Sequence, residues 1–241
     1  MKKLLAIVLA ALFLLGLLGA GASAQSQDPA REETLALLAD VQAIFAGGGY
    51  TFKGSSNYSQ EDANSFIPLI IAANKGEGLF AAEYSIDYRT YAAIGLSLPM
   101  TVLYRVLFGT KLRVVFEKDD VKLVFPSRRS YLNLGKNASA KNALEDVQNM
   151  LDLFGQTDFP AAVVTSKQTI EGKEYLVAAT KTNGYEVSYY FLNGQLKKLE
   201  SIGYGYENTF YVDQFSAVPD AKYFSIKWMF RLPINNLNIV I

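Results

Sequence analysis

The side chains that could perform chemistry in this chain are carboxylates, because the sequence contains no histidine and no cysteine. This composition excludes Ser-His-Asp and Cys-His catalysis, zinc sites built on those residues, and disulfides. The adjacent acids Asp119-Asp120 and Glu61-Asp62 are candidate calcium ligands, but neither pair has the glycine-containing spacing of a calcium loop. We interpret them as solvated turn charges and predict no metal site, no cofactor and no catalytic residue.

Carboxylates alone can hydrolyse glycosides when two of them face each other across a cleft. The 23 acidic residues of this sequence are scattered, and none lies in a distinctive apolar motif. A carboxylate-only hydrolase is therefore the third hypothesis, behind two non-enzymatic ones, and the chain is predicted not to be an enzyme.

The N-terminus has the pattern of a bacterial secretory signal peptide, residues 1–24. Lys2 and Lys3 precede an apolar run from Leu4 to Leu18, and Ala22-Ser23-Ala24 is the small-residue motif that a signal peptidase cleaves. A retained membrane anchor is the alternative, but the run is shorter than the roughly 20 residues a span prefers. The sequence predicts cleavage after Ala24, a secreted or periplasmic location, and no stable membrane span afterwards.

Charge and the predicted new N-terminus limit the partners of the mature chain. Cleavage removes two of the 23 basic residues and no acid, which leaves 21 basic and 23 acidic residues and a net charge of −2. This near-neutral balance predicts no nucleic-acid partner and gives no reason to expect strong attraction to anionic lipid. Gln25 occupies the position where a lipoprotein would need cysteine, so the mature protein is predicted to be free and soluble.

Helical spacing of apolar residues predicts two helices after a flexible tail at residues 25–30. Arg31 to Phe45 has its apolar residues at helical spacing, and the Gly47-Gly48-Gly49 run ends it. Lys141 to Phe154 has a similar stripe and ends at Gly155.

The sequence leaves the structure of two segments open. Tyr91 to Phe108 fits a buried strand pair or a short hydrophobic helix. The hydrophobic C-terminus, residues 227–241, fits a last strand or a segment packed beneath the helices.

Elsewhere the apolar period is two, which is typical of strands. A hairpin around Lys118-Asp119-Asp120 and two Asn-Gly turns indicate antiparallel pairing. The sequence therefore predicts one α+β domain, residues 31–241, in which a large curved antiparallel sheet, a half-barrel, is covered by two or more helices. The predicted strands are Tyr50–Phe52, Phe66–Ala73, Gly78–Tyr88, Leu112–Phe116, Val121–Phe125, Val163–Ile170, Tyr175–Lys181, Tyr185–Leu192, Gln195–Ile202, Phe210–Phe215 and Tyr223–Phe230, with a polar loop over Ser55–Asn64.

Two stretches of the sequence resemble one group of exported bacterial proteins. In the first stretch, Asp119 to Leu132, a strand ends in Pro126 and is followed by a basic turn and Tyr131-Leu132. The second stretch, Thr169 to Leu199, contains the sequence Glu-Gly-Lys-Glu-Tyr, then an aromatic strand, then Asn-Gly-x-Leu-Lys-Lys. This pattern is similar to proteins with the fold of the lipoprotein carrier LolA and the lipid carriers LppX and LprG. The resemblance covers about two thirds of the mature chain, and many members of that group have no known function.

The resemblance implies an apolar cavity between the sheet and the two helices, which would act as its lid. The chain has 15 Tyr and 15 Phe, many at alternating strand positions, and these either fill the core or line such a cavity. It lacks the carriers' N-terminal cysteine and any motif matching their working residues. The predicted ligand-binding side chains are Tyr84, Ile86, Tyr88, Val114, Phe116, Leu123, Phe125, Tyr189 and Phe191.

The leading functional hypothesis is an exported non-enzymatic protein that holds a lipid or another apolar small molecule. The second is a structural or interaction domain of the cell envelope that has a filled core and binds other envelope proteins. An apolar space of several hundred cubic ångströms would favour the first, and a packed interior would favour the second.

Overall fold

The computed structural model describes residues 28–57, 66–85, 98–136, 142, 148, 151, 154–155, 163–182 and 184–233. The compact unit that contains the sheet runs from Thr34 to Ile241. In chain order the described elements of the protein are α1 Pro29–Ala46, β1 Gly49–Asn57, β2 Phe66–Asn74, β3 Leu79–Ser85, α2 Leu98–Phe108, β4 Lys111–Glu117, β5 Asp120–Phe125, a 3-10 turn Pro126–Arg128, β6 Ser130–Gly135, β7 Val164–Ile170, β8 Lys173–Thr182, β9 Tyr185–Leu192, β10 Gln195–Gly203, β11 Tyr206–Ser216, a 3-10 turn Ala221–Tyr223 and β12 Phe230–Arg231.

The described strands form one open sheet in the order β12-β6-β5-β4-β3-β2-β1-β11-β10-β9-β8-β7. All pairs are antiparallel except β12, which runs parallel to β6. Two meanders, β1 to β6 and β7 to β11, meet where β1 pairs with β11, with Thr51 opposite Ser216 and Asn57 opposite Thr209. The predicted α+β class, a large curved antiparallel sheet with covering helices, is confirmed.

Local sequence explains the hairpins. At the β9–β10 connection Asn193 and Gly194 have φ values of 52° and 72°, the pair of positive angles that a two-residue hairpin turn requires. In the β4–β5 hairpin Lys118 also has positive φ, and Asp119 is exposed in the turn. These connections confirm the predicted hairpins, because a short turn with the right handedness sets the register of both strands.

The first face of the sheet, which we call the helix face, holds the main core. The buried residues of α1 are Thr34, Leu38, Val41 and Phe45, at the spacing of one helical stripe. They pack against alternate residues of the central strands, since side chains at every second position share a face. The buried strand residues of this core include Tyr50, Phe52, Leu69, Ile71, Phe80, Phe116, Val187, Tyr189, Phe191, Leu199, Phe210 and Val212.

The opposite face of the sheet, the strap face, is covered over β1–β6 by the C-terminal segment Ala217–Pro233, which we call the strap. Thr51 on β1 fixes its start: the Thr51 hydroxyl donates to the carbonyl oxygen of Val218 at 2.9 Å and accepts the amide of Asp220 at 2.8 Å. Tyr223 is buried against Ala72, Ala81, Val115 and Val124, with Phe224, Ile226 and Met229 packed around this cluster. The strap ends by adding β12 to the edge of β6.

A buried ion pair joins the strap to the sheet. Nε and Nη2 of Arg113 on β4 donate to the Oε2 atom of Glu83 on β3 at 2.8 and 2.5 Å. Nη1 of Arg113 donates to the carbonyl oxygens of Lys222 and Tyr223 at 3.1 and 3.3 Å. Lys111 adds a contact to the other oxygen of Glu83 at 3.2 Å. The pair is thus satisfied on both sides, as a buried charge requires.

Several predictions of local structure need correction. Ser55–Asn57 belong to β1 and not to a loop, because all three residues pair with both β2 and β11. The predicted strand Tyr223–Phe230 is wrong: its residues lie in and after a 3-10 turn, and β12 contains two residues. Of the hydrophobic C-terminus the structure describes residues 227–233: Met229 packs on the strap face, Phe230–Arg231 form β12, and Leu232 packs against the cluster of Leu123, Phe125 and Leu132. Tyr91–Phe108 contains helix α2, while residues 86–97 lie outside the described chain.

The other predicted elements agree with the structure in their described parts. The predicted helix 31–45 is α1, and Asn142, Gln148, Leu151 and Phe154 of the predicted helix 141–154 are α-helical. In the described part of the chain no helix combines the length and hydrophobicity needed to cross a membrane. The segments 1–24 and 25–27 are not described.

We expect Arg113→Met to destabilise the protein by about 3–5 kcal/mol, since it leaves the Glu83 carboxylate buried without its main partner. The double variant Glu83→Leu/Arg113→Met should recover most of this loss. Urea unfolding measures both. Lys167→Met is the matched control, because the Lys167–Glu174 pair is exposed and should contribute at most about 1 kcal/mol. Equal effects of Arg113→Met and Lys167→Met would contradict this account of the strap.

The strap should also show a pH dependence through Asp220. A hydrogen bond and ion pair with the Lys222 side chain hold the pKa of Asp220 below its usual value. The stabilisation is therefore complete above the unfolded pKa of about 3.9 and is lost as pH falls through the lower folded-state value. The difference in unfolding free energy between wild type and Asp220→Asn should shrink from pH 7 to pH 3. A difference that stays constant over this range would exclude the contact as its source.

Candidate functional site

The predicted ligand-binding residues do not form one site in the structure. Phe116, Tyr189 and Phe191 are buried in the main core, and Tyr84 and Val114 pack against it. A separate cluster under α2 contains Leu123, Phe125 and Leu132. Ile86 and Tyr88 lie outside the described residues. All the described candidates point to the helix face, as the alternation of each strand predicts.

An aromatic cluster fills the centre of the helix face. Phe154 is fully buried, with ring centres 6.1 Å from Phe45, 6.1 Å from Tyr189 and 5.9 Å from Phe210. Phe45 also lies 4.7 Å from Phe215. These separations are those of rings in direct contact, and edge-to-face and tilted geometries dominate, as quadrupoles favour. Between Phe154 and the central strands the interior is therefore packed with side chains.

One hydrogen bond holds the Phe154 backbone against the sheet. The Tyr189 hydroxyl donates to the carbonyl oxygen of Phe154 at 2.9 Å, and it also has a hydrogen bond with Gln42 of α1. Burial raises the pKa of Tyr189, so the phenol stays protonated and able to donate. Gly155 follows directly, and a Cβ there would come within 2.8 Å of the Cβ of Phe45. Only glycine allows this close approach to the end of α1.

A half-open cleft of about 330 Å³ lies at the side of this packed centre, between α1, the β9–β10 hairpin and β11. Its volume is at the lower end of the range of small-molecule sites. The wall of the cleft on the side of α1 is formed by Leu37, Val41 and Ile44, which follow one another at intervals of one helical turn. The apolar part of the wall on the side of the sheet is formed by Phe191, Leu196 and Phe215. The cleft is lined by Leu37, Asp40, Val41, Ile44, Phe191, Gly194, Gln195, Leu196, Lys197, Asp213, Gln214 and Phe215.

Local structure explains why these residues meet. Lys75 donates from Nζ to the carbonyl oxygen of Phe45 at 2.8 Å, which satisfies the last turn of α1 and fixes its end above the sheet. A register shift after Leu196 in β10 changes the alternation, so Leu196 faces the helix side as Phe191 does, and Lys197 follows it at the edge of the cleft. The hairpin tip at Gly194 closes one end.

The rim of the cleft carries charges of both signs. Asp40 and Asp213 are exposed and Lys197 is half-buried, with the amides of Gln195 and Gln214 beside them. An apolar wall with carboxylates, an ammonium and amides at its mouth can bind an amphiphile, whose apolar part enters while its head group stays in water. Among the described residues no group of three or more Asp and Glu comes together as a metal site would require.

Sequence reasoning identified Phe191 but missed the rest of this cleft. The helical spacing over Arg31 to Phe45 predicts that Leu37 and Ile44 lie on the apolar side of α1, and both pack against the core in the structure. What the pattern could not show is that these two residues lie at the border of the stripe, where α1 overhangs the sheet. The signal in the sequence for such a position is an apolar residue at the edge of the helical stripe, and the structure shows Leu37 and Ile44 to be half-buried there.

A second cluster of titratable groups lies on the strap face, beyond the strap. The Tyr190 hydroxyl donates to Oε2 of Glu200, Lys198 pairs with the same carboxylate, and the Lys198 ammonium lies 4.6 Å from the centre of the Tyr190 ring. Burial and the neighbouring Glu200 raise the pKa of Tyr190. Each group is satisfied by another, so the cluster stabilises β9 and β10.

Comparison with known proteins gives distant structural similarities only. No family model matches the sequence, and no curated protein matches it. The chain is similar to an uncharacterized conserved protein from Thermus thermophilus, with 8% identity over 81% of this chain and 96% of that one and a TM-score of 0.39. It is also similar to MucB, solved in complex with MucA, with 11% identity over 83% of this chain and 62% of that one and a TM-score of 0.34.

A DUF1329 family protein from Desulfovibrio piger is similar at 8% identity, over 83% of this chain and 98% of that one, with a TM-score of 0.22. With identities and TM-scores this low, none of these proteins assigns a family or a function to the chain. The site must therefore be interpreted from its own residues.

We expect Tyr189→Phe to lower the free energy of unfolding by about 1–3 kcal/mol, since it leaves the buried carbonyl oxygen of Phe154 without its donor. Tyr175→Phe is the matched control, because Tyr175 is half-exposed on the other face of the sheet. Its effect should stay within about 0.5 kcal/mol. Urea unfolding of both variants checks the difference, and a Tyr189→Phe protein as stable as the control would show that this hydrogen bond does not hold Phe154 in place.

Proposed function

We propose that this protein is a non-enzymatic binding protein that holds the apolar part of a single-chain amphiphile in the cleft between α1 and β9–β11. The observation that carries the proposal is the combination of an apolar wall, about 330 Å³ of space and a charged rim at one opening. The packed aromatic centre limits how deep a ligand reaches, so the cleft accepts part of one chain and leaves the head group outside.

The rim supports a head group that makes polar contacts in water. The ammonium of Lys197 can pair with an anionic head group, while the carboxylates of Asp40 and Asp213 can accept hydrogen bonds from hydroxyl or ammonium groups. These contacts are exposed and weak, so most of the affinity comes from burial of the chain against Leu37, Ile44 and neighbouring apolar residues. The absence of histidine and cysteine from the sequence supports binding over catalysis.

Titration with a dansyl-labelled undecanoic acid tests the cleft. Binding to the purified protein should raise the dansyl emission, and Leu37→Trp, which fills the cleft from the helix side, should weaken the affinity by tenfold or more. Val164→Trp is the matched control, because Val164 is exposed on the edge strand β7 away from the cleft, and it should bind like wild type. Thermal melts of both variants confirm that each is folded.

Native mass spectrometry of protein purified from its host provides the second measurement. A bound molecule of lipid-like mass that Leu37→Trp no longer retains would identify the ligand class. Unliganded protein together with no response to the dansyl probe would exclude the binding function.

A structural or interaction domain of the cell envelope is the second candidate, and the packed aromatic centre favours it. Phe45, Phe154, Tyr189 and Phe210 leave no large space between them, which is what a scaffold with a filled core requires. The same titration separates the two functions, because a scaffold of this kind has no affinity for the probe and is not stabilised by it.

A further inference from the structure

Helix α2 presents an apolar face to solvent. Val102, Leu103, Val106 and Leu107 are all exposed, Val106 to 61%. At about 100° per residue these positions, together with the exposed Pro99, cover an arc of about 140° on one side of the helix. Of the described side chains of α2, Phe108 alone is half-buried. An amphipathic helix normally turns such a stripe to the core, so this orientation requires a reason.

The position of α2 is set by its C-terminal end. Phe108 stacks on Phe125 of β5 with ring centres 4.8 Å apart. Nη2 of Arg128 donates to the carbonyl oxygen of Val106 at 2.6 Å, a C-terminal cap supplied by the turn between β5 and β6. The helix is therefore attached at the β6 edge of the sheet with its apolar stripe outward.

The end of the strap brings two more exposed aromatic residues to the same edge. Trp228 is 84% exposed and Phe230 is 76% exposed. The amide of Phe230 donates to the carbonyl oxygen of Arg129 at 2.8 Å, next to the residue that caps α2. Leu232 packs into the cluster that contains Phe108. The helix, the turn and the strap end thus form one surface, which we call the edge patch.

The charged residues of the edge patch are all basic. Its three segments, residues 98–110, 126–131 and 225–233, contain no Asp or Glu. Within the described part of the chain, none of its five exposed cations forms an ion pair. These cations are Arg105, Arg128, Arg129, Lys227 and Arg231. The whole chain has no net charge, so this concentration of positive charge is a local property that the overall balance conceals.

We propose that the edge patch docks this protein on the surface of an anionic lipid bilayer. Proteins that bind in the headgroup region of a membrane do so with exposed aliphatic residues of a helix, with tryptophan, and with surrounding Arg and Lys. Five cations with no acid among them match a negatively charged surface. A second copy of this chain would present the same positive charge, so charge complementarity selects the bilayer. The proposal stands independently of ligand binding in the cleft.

Trp228 makes the proposal directly measurable, because it is the sole tryptophan of the sequence. Vesicles of phosphatidylcholine with phosphatidylglycerol should shift its emission to shorter wavelength and should sediment the protein. Vesicles of phosphatidylcholine alone should do neither, and high salt should reverse the binding. No shift and no sedimentation with the anionic vesicles would overturn the proposal, as would a dimer that already buries Trp228 without lipid.

Two sets of variants locate the surface. Lys227→Gln/Arg231→Gln should lower the partition coefficient on anionic vesicles by roughly 30-fold, the loss of two basic contacts. Val102→Ser/Val106→Ser should weaken binding while leaving the charge unchanged. Lys173→Gln/Lys181→Gln is the charge-matched control, because both lysines are exposed on β8, near the other edge of the sheet. Equal loss in the control and in the Lys227/Arg231 variant would reject the edge patch as the docking surface.

Discussion

The arrangement of much of this protein depends on one interaction. It is the contact of Arg113 with Glu83 and with two carbonyl oxygens of the strap. An open sheet has two faces, and α1 and the helical residues that include Phe154 cover one of them. The strap covers β1–β6 on the other, where Thr51 holds its start and Arg113 holds its middle. Because the guanidinium is buried, each of its donors must find an acceptor, and the strap backbone at Lys222 and Tyr223 provides two.

The path of the strap has consequences at the edge of the sheet. From the buried Tyr223 the chain continues to β12, which covers part of the exposed side of β6. An uncovered edge would expose unpaired backbone groups to other chains, and a short parallel strand reduces that exposure. The same path carries Trp228 and Phe230 to the vicinity of α2. The strap residues of the edge patch therefore follow in the chain directly after Lys222 and Tyr223, the two residues whose carbonyl oxygens Arg113 binds.

The helix face combines a filled centre with a cleft at its side. Aromatic side chains from both meanders interlock around Phe154, so this part of the interior resembles a normal core. The cleft exists because α1 extends beyond the aromatic cluster, and its residues Leu37 and Ile44 are only partly covered by β10 and β11. Most of the aromatic side chains on this face therefore stabilise the packed centre. Of these, Phe191 and Phe215 also line the apolar wall of the cleft.

Much of this fold follows from local sequence. The period of two, the Asn193-Gly194 turn and the hairpin at Lys118 are short-range signals, and the strands they predict agree with the structure to within a few residues. The helix at residues 31–45 was predictable for the same reason. Ser55–Asn57 were not, because their polar side chains carry no apolar alternation and they become a strand only by pairing with both β2 and β11.

By itself the sequence determined the fold class, the excluded chemistries and the positions of most elements, since composition, turn residues and periodicity are local properties. Tertiary structure alone decided which residues meet. Glu83 and Arg113 are 30 positions apart and Arg113 and Tyr223 are 110 apart, so no local pattern links them. The exposed stripe of α2 was equally hidden, because an apolar period shows that a face exists but not whether it turns to the core or to solvent. The near-neutral net charge likewise does not reveal how the charged residues are distributed over the surface. The fold places five cations at one edge of the sheet.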